Sequence, residues 1–152
     1  MVVWKDEGGF TLVELIMVVV ILSILSYTAI SRMDVQETRV AAAAQQVVAD
    51  IRYAQELATT THQIHGITFS AAQNRYWVYR NTDTPDSVVT HPLTQEPFVV
   101  VFDAGSWGGV HIDGDFAVAF DAIGAPSVSG AVTLNGRKTI SVTANTGRVM
   151  VQ

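Results

Sequence analysis

The residue whose chemistry most needs an explanation is Glu14, a carboxylate inside an apolar stretch. The stretch Gly8–Leu25 reads GGFTLVELIMVVVILSIL and carries no other charge. A charged side chain costs about 2.5–3.5 kcal/mol at the centre of a membrane helix, and a cationic partner would offset that cost. The position therefore indicates either an ion pair with a partner or a side chain that reaches back to the membrane interface.

Two other groups of side chains have the chemistry of metal ligands. The carboxylates that could hold calcium are Asp113, Asp115 and Asp121, with Asp103. Their spacing does not match an EF-hand loop, and acidic loops are common in proteins. His62 and His65 lie three residues apart, but no third ligand is near in the sequence, which favours surface histidines. We therefore expect no metal and no other cofactor, with calcium as the alternative.

Composition excludes several classes of function. The 152 residues suffice for one domain with a core, and the absence of cysteine excludes disulfides and cysteine chemistry. No nucleophile–base pair, phosphate loop or redox motif occurs, so we expect no enzyme. Lys and Arg total 9 against 14 Asp and Glu, which disfavours strong nucleic-acid binding. A basic patch would have to come from Arg137, Lys138 and Arg148.

The apolar stretch predicts a membrane-spanning helix. From Phe10 to Ile30 the only charge is Glu14, and Arg32 and Asp34 follow. As a helix, this segment would be about 31 Å long, close to the hydrocarbon thickness of a bilayer. A buried core helix of this length normally has a polar face. A secretory signal would place its small residues after the apolar run, whereas Gly8 and Gly9 precede it.

The residues Gly9-Phe10-Thr11-Leu12-Val13-Glu14 resemble the processing motif of type IV prepilins and type II secretion pseudopilins. The resemblance implies a leader, residues 1–9, that prepilin peptidase removes between Gly9 and Phe10. It also implies N-methylation of Phe10 and a role for Glu14 in subunit assembly, where it could pair with the Phe10 amine of a neighbouring subunit. The leader departs from the family because its side chains are net acidic, which weakens the argument for orientation from positive charge.

The rest of the chain predicts an α+β fold. Apolar residues recur at three- and four-residue steps from Val40 to Ala58, and the threonines 59–61 favour a helix end. A helix from Phe10 to about Thr60 would be roughly 75 Å long, with residues 10–31 in the membrane and 32–61 amphipathic. Residues 62–152 then form an antiparallel β-sheet domain packed on the amphipathic half. The predicted strands are 64–70, 75–80, 98–102, 116–120, 131–134, 139–143 and 148–151, with a hairpin at Asn135-Gly136.

A second resemblance narrows the family. Residues 120–126 (FDAIGAP) and 140–149 (ISVTANTGRV), together with Ile51–Ile64, are similar to the H-type minor pseudopilins of type II secretion systems and to related minor pilins. The residues themselves also allow a purely structural interpretation. Phe120 would lie in the core, and Gly124 and Gly147 would lie in turns.

The two resemblances imply a minor pseudopilin of a type II secretion pseudopilus, which serves protein export across the outer membrane. Its partners would be other pseudopilins, prepilin peptidase and, before assembly, inner-membrane lipid, with the C-terminal domain in the periplasm. One alternative is a minor pilin of a type IV pilus, acting in assembly, adhesion, motility or DNA uptake. Another is a monomeric anchored binding domain, which would not need the Gly9-Phe10…Glu14 arrangement.

Overall fold

The computed structural model describes residues 10–30, 35–103 and 105–152, without the side chains of residues 27–30. The predicted leader, residues 1–9, and the predicted far end of the apolar segment at Ser31, Arg32 and Asp34 lie outside the described residues. The chain divides into two compact units, Met1–Val35 and Gln36–Gln152. The first unit contains helix α1, Leu12–Ile30. The predicted continuity of one helix through residues 31–34 stays a prediction.

Helix α2 spans Val35–Thr61 and buries one stripe of its surface. The stripe is built largely from the predicted positions, including Val40, Val47 and Ile51, and it is fully buried along most of its length. The helix ends where predicted. The hydroxyls of Thr60 and Thr61 donate to the carbonyls of Glu56 and Leu57, and the next residue, His62, has a left-handed φ of 54°.

The first sheet has four antiparallel strands in the order β3-β2-β1-β4. The strands are β1 His65–Ser70, β2 Arg75–Arg80, β3 Val99–Val101 and β4 Phe116–Phe120. The period-two alternation puts Ile67, Phe69 and Tyr76 in the core, and Trp77 on the opposite face. Two short 3₁₀ helices, Pro85–Ser87 and Gly105–Trp107, lie in the loops.

The second sheet has three antiparallel strands in the order β5-β6-β7. They are β5 Gly130–Leu134, β6 Lys138–Val142 and β7 Val149–Val151. The predicted hairpin is present, because Asn135 and Gly136 both have positive φ, as a type I′ turn requires. The sequence patterns did not reveal that the strands divide into two sheets. The division follows from segment 125–127, which pairs with the end of β4 at Phe120 and Ala119.

Polar side chains of α2 attach the helix to the loops and strands of both sheets. Arg39 donates to the Gly108 carbonyl, and Gln36 donates to the neighbouring Gly109 carbonyl. Arg52 donates to the Val149 carbonyl at 3.3 Å. Each donor satisfies a carbonyl that has no strand partner at that point. Hydrogen bonds are directional, so these bonds orient α2, whereas the apolar contacts of its buried stripe are non-directional.

Asp50 of α2 is a buried carboxylate, because only 5% of its surface is exposed. Its carboxylate accepts hydrogen bonds from the Tyr76 hydroxyl at 2.6 Å and from Gln46 Nε2 at 2.9 Å. Burial raises the pKa of Asp50, and these two hydrogen bonds, with His91 nearby, offset part of the rise. Burial, and then the Asp50 charge, raises the pKa of Tyr76. The hydrogen bond between Tyr76 and Asp50 therefore links β2 to α2, while burial of the Asp50 charge lowers the stability of the fold.

The raised pKa of Asp50 predicts how stability depends on pH. The native state binds a proton more tightly than the unfolded state, so this group lowers stability as pH rises from about 4 through its native pKa. Asp50→Asn removes the titration while an amide oxygen can still accept from Tyr76. We expect the unfolding free energy of the variant, relative to the unchanged protein, to increase between pH 4 and pH 7. Denaturant unfolding of both proteins in detergent micelles measures this, with Asp86→Asn as an exposed-carboxylate control. An unchanged difference across that pH range would contradict the assignment.

Gly147 and Gly136 offer a matched pair of substitutions, because their φ angles are 63° and 60°. Alanine at either position adopts a left-handed backbone, at a cost of about 1–2 kcal/mol. At Gly136 the new Cβ meets open space, but at Gly147 it would lie 2.5 Å from Gln55 Nε2 and 3.0 Å from a Phe120 ring carbon. Gln55 donates to the carbonyls of Gly124 and Thr146, so displacing it breaks both bonds. We expect Gly147→Ala to destabilise by about 1–3 kcal/mol more than Gly136→Ala in denaturant unfolding; equal losses would show that Gln55 yields without cost.

Candidate assembly site at the start of helix α1

Thr11 and Glu14 define the first turn of α1. The Glu14 N–H donates to Thr11 Oγ1 at 3.2 Å, and the Leu15 N–H donates to the Thr11 carbonyl at 3.1 Å. Thr11 is therefore the N-cap, and Glu14 occupies the third helical position, as in the Ser/Thr-x-x-Glu capping pattern. A carboxylate at that position is also stabilised by the positive end of the helix dipole. The N-cap at Thr11 was missed in the sequence, although the Thr11-x-x-Glu14 spacing indicates it.

Phe10 lies just before this cap and is 82% exposed. Gly9, the other half of the predicted cleavage site, lies outside the described residues. Glu14 is exposed as well, and within the described part of the chain its carboxylate has no cationic partner. The predicted cleavage, methylation and assembly roles of Gly9, Phe10 and Glu14 stay predictions. Because Phe10 precedes the N-cap and Glu14 lies in the first turn, an amine at Phe10 and the Glu14 carboxylate would both lie at the N-terminus of α1.

The body of α1 is apolar on all sides. Every described side chain from Leu12 to Ser26 is exposed, and most are Leu, Ile, Val or Met. The two serines place no free donor on this surface, because Ser23 and Ser26 donate at 2.7 Å to the carbonyls of Val19 and Leu22. Among the described residues, no helix combines the length and the apolarity needed to cross a membrane.

The calcium candidates are separated into different turns, where each carboxylate accepts backbone N–H groups. Asp113 accepts from Gly136 at 2.6 Å, Asp115 accepts from Ala71 at 2.7 Å, and Asp121 accepts from Ile123 and Ala125. Asp103 instead accepts from the Asn74 side chain at 2.8 Å. Over the residues with described positions, no three acidic, histidine or cysteine side chains form a group that could hold a metal ion.

The histidine pair is separated as well. His62 is exposed at the helix end, as predicted, but His65 is only 2% exposed, so the prediction of two surface histidines was wrong for His65. His65 lies on the core-facing side of β1, opposite Arg80, and its Nδ1 lies 3.2 Å from the Gln63 carbonyl. The change from helical to strand periodicity after Thr61 turns His65 inward, away from His62.

Comparison with known proteins identifies the N-terminus and the fold. The prokaryotic N-terminal methylation motif matches residues 4–26. The structure is similar to the minor pseudopilin EpsH from the type 2 secretion system of Vibrio cholerae, with 12% identity and a TM-score of 0.54 over 75% of this chain and 96% of EpsH. It is also similar to the type IV minor pilin FimU of Pseudomonas aeruginosa, with 14% identity and a TM-score of 0.53 over 76% of this chain and 90% of FimU. No curated protein sequence is significantly similar to the chain.

The chain carries the prokaryotic N-terminal methylation motif and has a pilin-like fold. The predicted α+β fold, with helix α2 packed on antiparallel sheets, is confirmed. The motif indicates a membrane-anchored precursor that is processed as a prepilin. The two structural relatives come from different machines, and at 12–14% identity the likeness concerns the fold.

The C-terminal residues that carried the second resemblance have structural roles in this fold. Phe120 is fully buried, and Gly124 and Gly147 both lie against Gln55 of α2. Gln55 Nε2 donates to the Gly124 carbonyl at 2.7 Å and to the Thr146 carbonyl at 3.2 Å. The similar segments therefore meet at one place, where two turns close over the C-terminal half of α2.

Proposed function

We propose that this pilin-like protein is a non-enzymatic structural subunit, a minor pseudopilin of a type II secretion pseudopilus. Prepilin peptidase would cleave between Gly9 and Phe10 and the new amine would be methylated. Before assembly, the segment of residues 10–31 would anchor the chain in the inner membrane, with the C-terminal domain in the periplasm. The anchor is argued from the methylation motif and from the uncharged sequence Leu15–Ser31.

The observation that carries the proposal is the uniformly exposed apolar surface of α1 with a single carboxylate in its first turn. A helix of a water-soluble domain buries one stripe and solvates the rest, as α2 does. Helix α1 has no polar face among its described side chains, and its serine hydroxyls are satisfied within the helix. Such a surface is suited to lipid or to the apolar helices of other subunits.

Within a bundle of such helices, Glu14 would need a cation. The N-terminal amine of a processed neighbouring subunit supplies one without any further basic residue, which is consistent with the lack of Lys and Arg from Phe10 to Ser31. Removing one member of a desolvated pair leaves an unpaired charge, which costs about 3–5 kcal/mol. Glu14 would therefore favour subunits that are processed and correctly aligned along the filament.

A minor pilin of a type IV pilus is the second candidate, because the fold matches FimU about as well as it matches EpsH. Among the roles of a type IV minor pilin, DNA uptake is the one that the net charge of the processed chain favours least. After removal of residues 1–9, the chain would carry 8 Lys and Arg against 12 Asp and Glu.

The capping geometry allows a sharp test of Glu14. Glu14→Gln keeps the Thr11-x-x-Glu/Gln capping pattern but removes the charge, whereas Glu14→Ala removes both. We expect both variants to insert and to be cleaved, and both to lose incorporation into the filament by at least about tenfold. Immunoblots of sheared or overexpressed filaments measure incorporation, and the size shift on cleavage is the processing control.

The two substitutions separate charge from capping. Normal incorporation of Glu14→Gln with loss for Glu14→Ala would assign Glu14 to the helix start. Normal incorporation of both would remove Glu14 from assembly altogether. Thr11→Ala is the matched control, because it removes the cap hydroxyl and leaves the charge, at a cost of about 1 kcal/mol.

Deletion of the gene tests which machine contains the subunit. We expect loss of enzyme secretion into the medium with surface pili intact, restored by the unchanged gene but not by Glu14→Ala. Secreted activity and pili are scored in the same cultures. Loss of pili, twitching or transformation with normal secretion would instead support the minor pilin.

A further inference from the structure

The two sheets have four edges, and described residues cap three of them. At the β4 edge, the Ala119 N–H donates to Ser127 Oγ at 3.0 Å and the Ser127 N–H donates to the Ala119 carbonyl at 2.7 Å. At β7, Arg52 caps the Val149 carbonyl. At β5, the Asp113 N–H donates to the Thr133 carbonyl and the Asn135 N–H donates to the His111 carbonyl, both at 3.0 Å. Capping of this kind prevents an edge from pairing with other chains.

The β3 edge differs from the other three. The Val78 N–H donates to the Phe98 carbonyl, and the Phe102 N–H donates to the Asn74 carbonyl. Because inward and outward positions alternate along an antiparallel strand, Val100 also faces β2, while Val99 and Val101 direct their backbone groups outward. The Val99 N–H is used by the Pro97 carbonyl. The Val99 carbonyl and both backbone groups of Val101 have no partner among the described residues.

The side chains at this edge are apolar and accessible. Val99 is 37% exposed and Val101 is 45% exposed, and Val99 lies beside Trp77 on the face of the sheet opposite the core. A cleft of about 320 Å³ opens there, lined by Trp77, Val99, Val88, Pro85 and Pro97. We call it the Trp77 cleft. It is large enough for one apolar side chain of a bound segment.

Hydrogen bonds hold the cleft in shape. Asp83 accepts from Trp77 Nε1 at 2.6 Å and from the Thr68 hydroxyl at 2.7 Å, so the indole ring is fixed in position. The Arg75 guanidinium lies 5.6 Å from the centre of the same ring. A fixed aromatic wall reduces the entropy lost when a ligand binds.

The charges around β3 indicate the character of the bound segment. Three carboxylates in exposed residues, Glu96, Asp103 and Asp83, outnumber the one cation among the described residues that line the cleft, Arg75. A segment with basic residues at its ends would complement them. A second copy of this acidic chain, with a net charge of −5, would bring like charges together.

We propose that β3 and the Trp77 cleft bind an extended segment of a different protein by strand addition. The segment pairs its backbone with the outward groups of Val99 and Val101, places one apolar side chain in the Trp77 cleft, and carries Lys or Arg near its ends. Because β3 has only three residues, backbone pairing supplies few bonds, and the cleft and the charges supply the selectivity.

The probe for this site is a synthetic nine-residue peptide of alternating threonine and valine with a lysine at each end. The full chain in detergent micelles is titrated with the peptide, and binding is measured by calorimetry and by hydrogen exchange of the Val101 amide. We expect binding, slower exchange at Val101, and at least about tenfold weaker binding when the lysines are replaced by glutamates. Binding should also weaken as salt is added.

Val101→Pro is the decisive variant, with Val101→Thr as its matched control. Proline removes the outward N–H of Val101, which makes no bond within the sheet, so the fold should survive. Threonine keeps the N–H and the β-branched shape. We expect Val101→Pro to weaken peptide binding by at least about tenfold, and Val101→Thr to change it little.

Three outcomes would overturn the proposal. They are failure of the lysine peptide to bind, equal binding to Val101→Pro and to the unchanged protein, and protection elsewhere without protection at Val101. Sedimentation of the chain alone adds a fourth. A dimer that Val101→Pro abolishes would make a second copy, and not a different protein, the occupant of this edge.

Discussion

Packing of one helix, α2, connects the two sheets of the globular unit. The sheets form separate hydrogen-bonded ladders, and α2 carries contacts to both. Asp50 accepts from Tyr76 in the four-stranded sheet, while Arg52 donates to Val149 in the three-stranded sheet. The two contacts lie two residues apart on the helix. A change that shifts α2 along its axis would therefore strain both sheets at once.

The two helices of this chain expose different kinds of surface, and this difference supports the proposed function. Helix α2 solvates one face and satisfies loop carbonyls with its polar side chains. Helix α1 exposes apolar side chains on every side and satisfies its serines internally. The first arrangement completes a domain from within the chain. The second leaves an apolar surface that the described residues do not cover. The methylation motif matched at its start is consistent with the proposal that lipid or the apolar helices of other subunits cover it.

Much of the fold could be predicted from local patterns, because the period of the apolar residues changes at Thr61 and the hairpin at Asn135-Gly136 requires positive φ at two residues. What local patterns do not indicate depends on distant partners. Nothing near Asp50 in the sequence indicates that the Tyr76 hydroxyl, 26 positions away, lies beside it. His65 was placed wrongly at the surface for the same reason, since β-pairing across the sheet is not encoded in neighbouring residues. The candidate site at Glu14 could be proposed from the sequence because its signal is local, and the N-cap at Thr11 was hidden beneath that stronger signal.

The exposed apolar surface of α1 and the unpaired edge of β3 require partners of different chemistry. An apolar helix is satisfied by any medium without polar competition, whether lipid chains or the helices of other subunits. A strand edge is not, because its carbonyl and N–H groups need donors and acceptors in a fixed alternating geometry. Insertion into a membrane would therefore cover α1 but would leave the Val99 carbonyl and both backbone groups of Val101 unpaired. If both features serve one assembly, the apolar surface of α1 determines whether the chain enters the filament. The β3 edge can then distinguish between protein neighbours that present the same apolar helix.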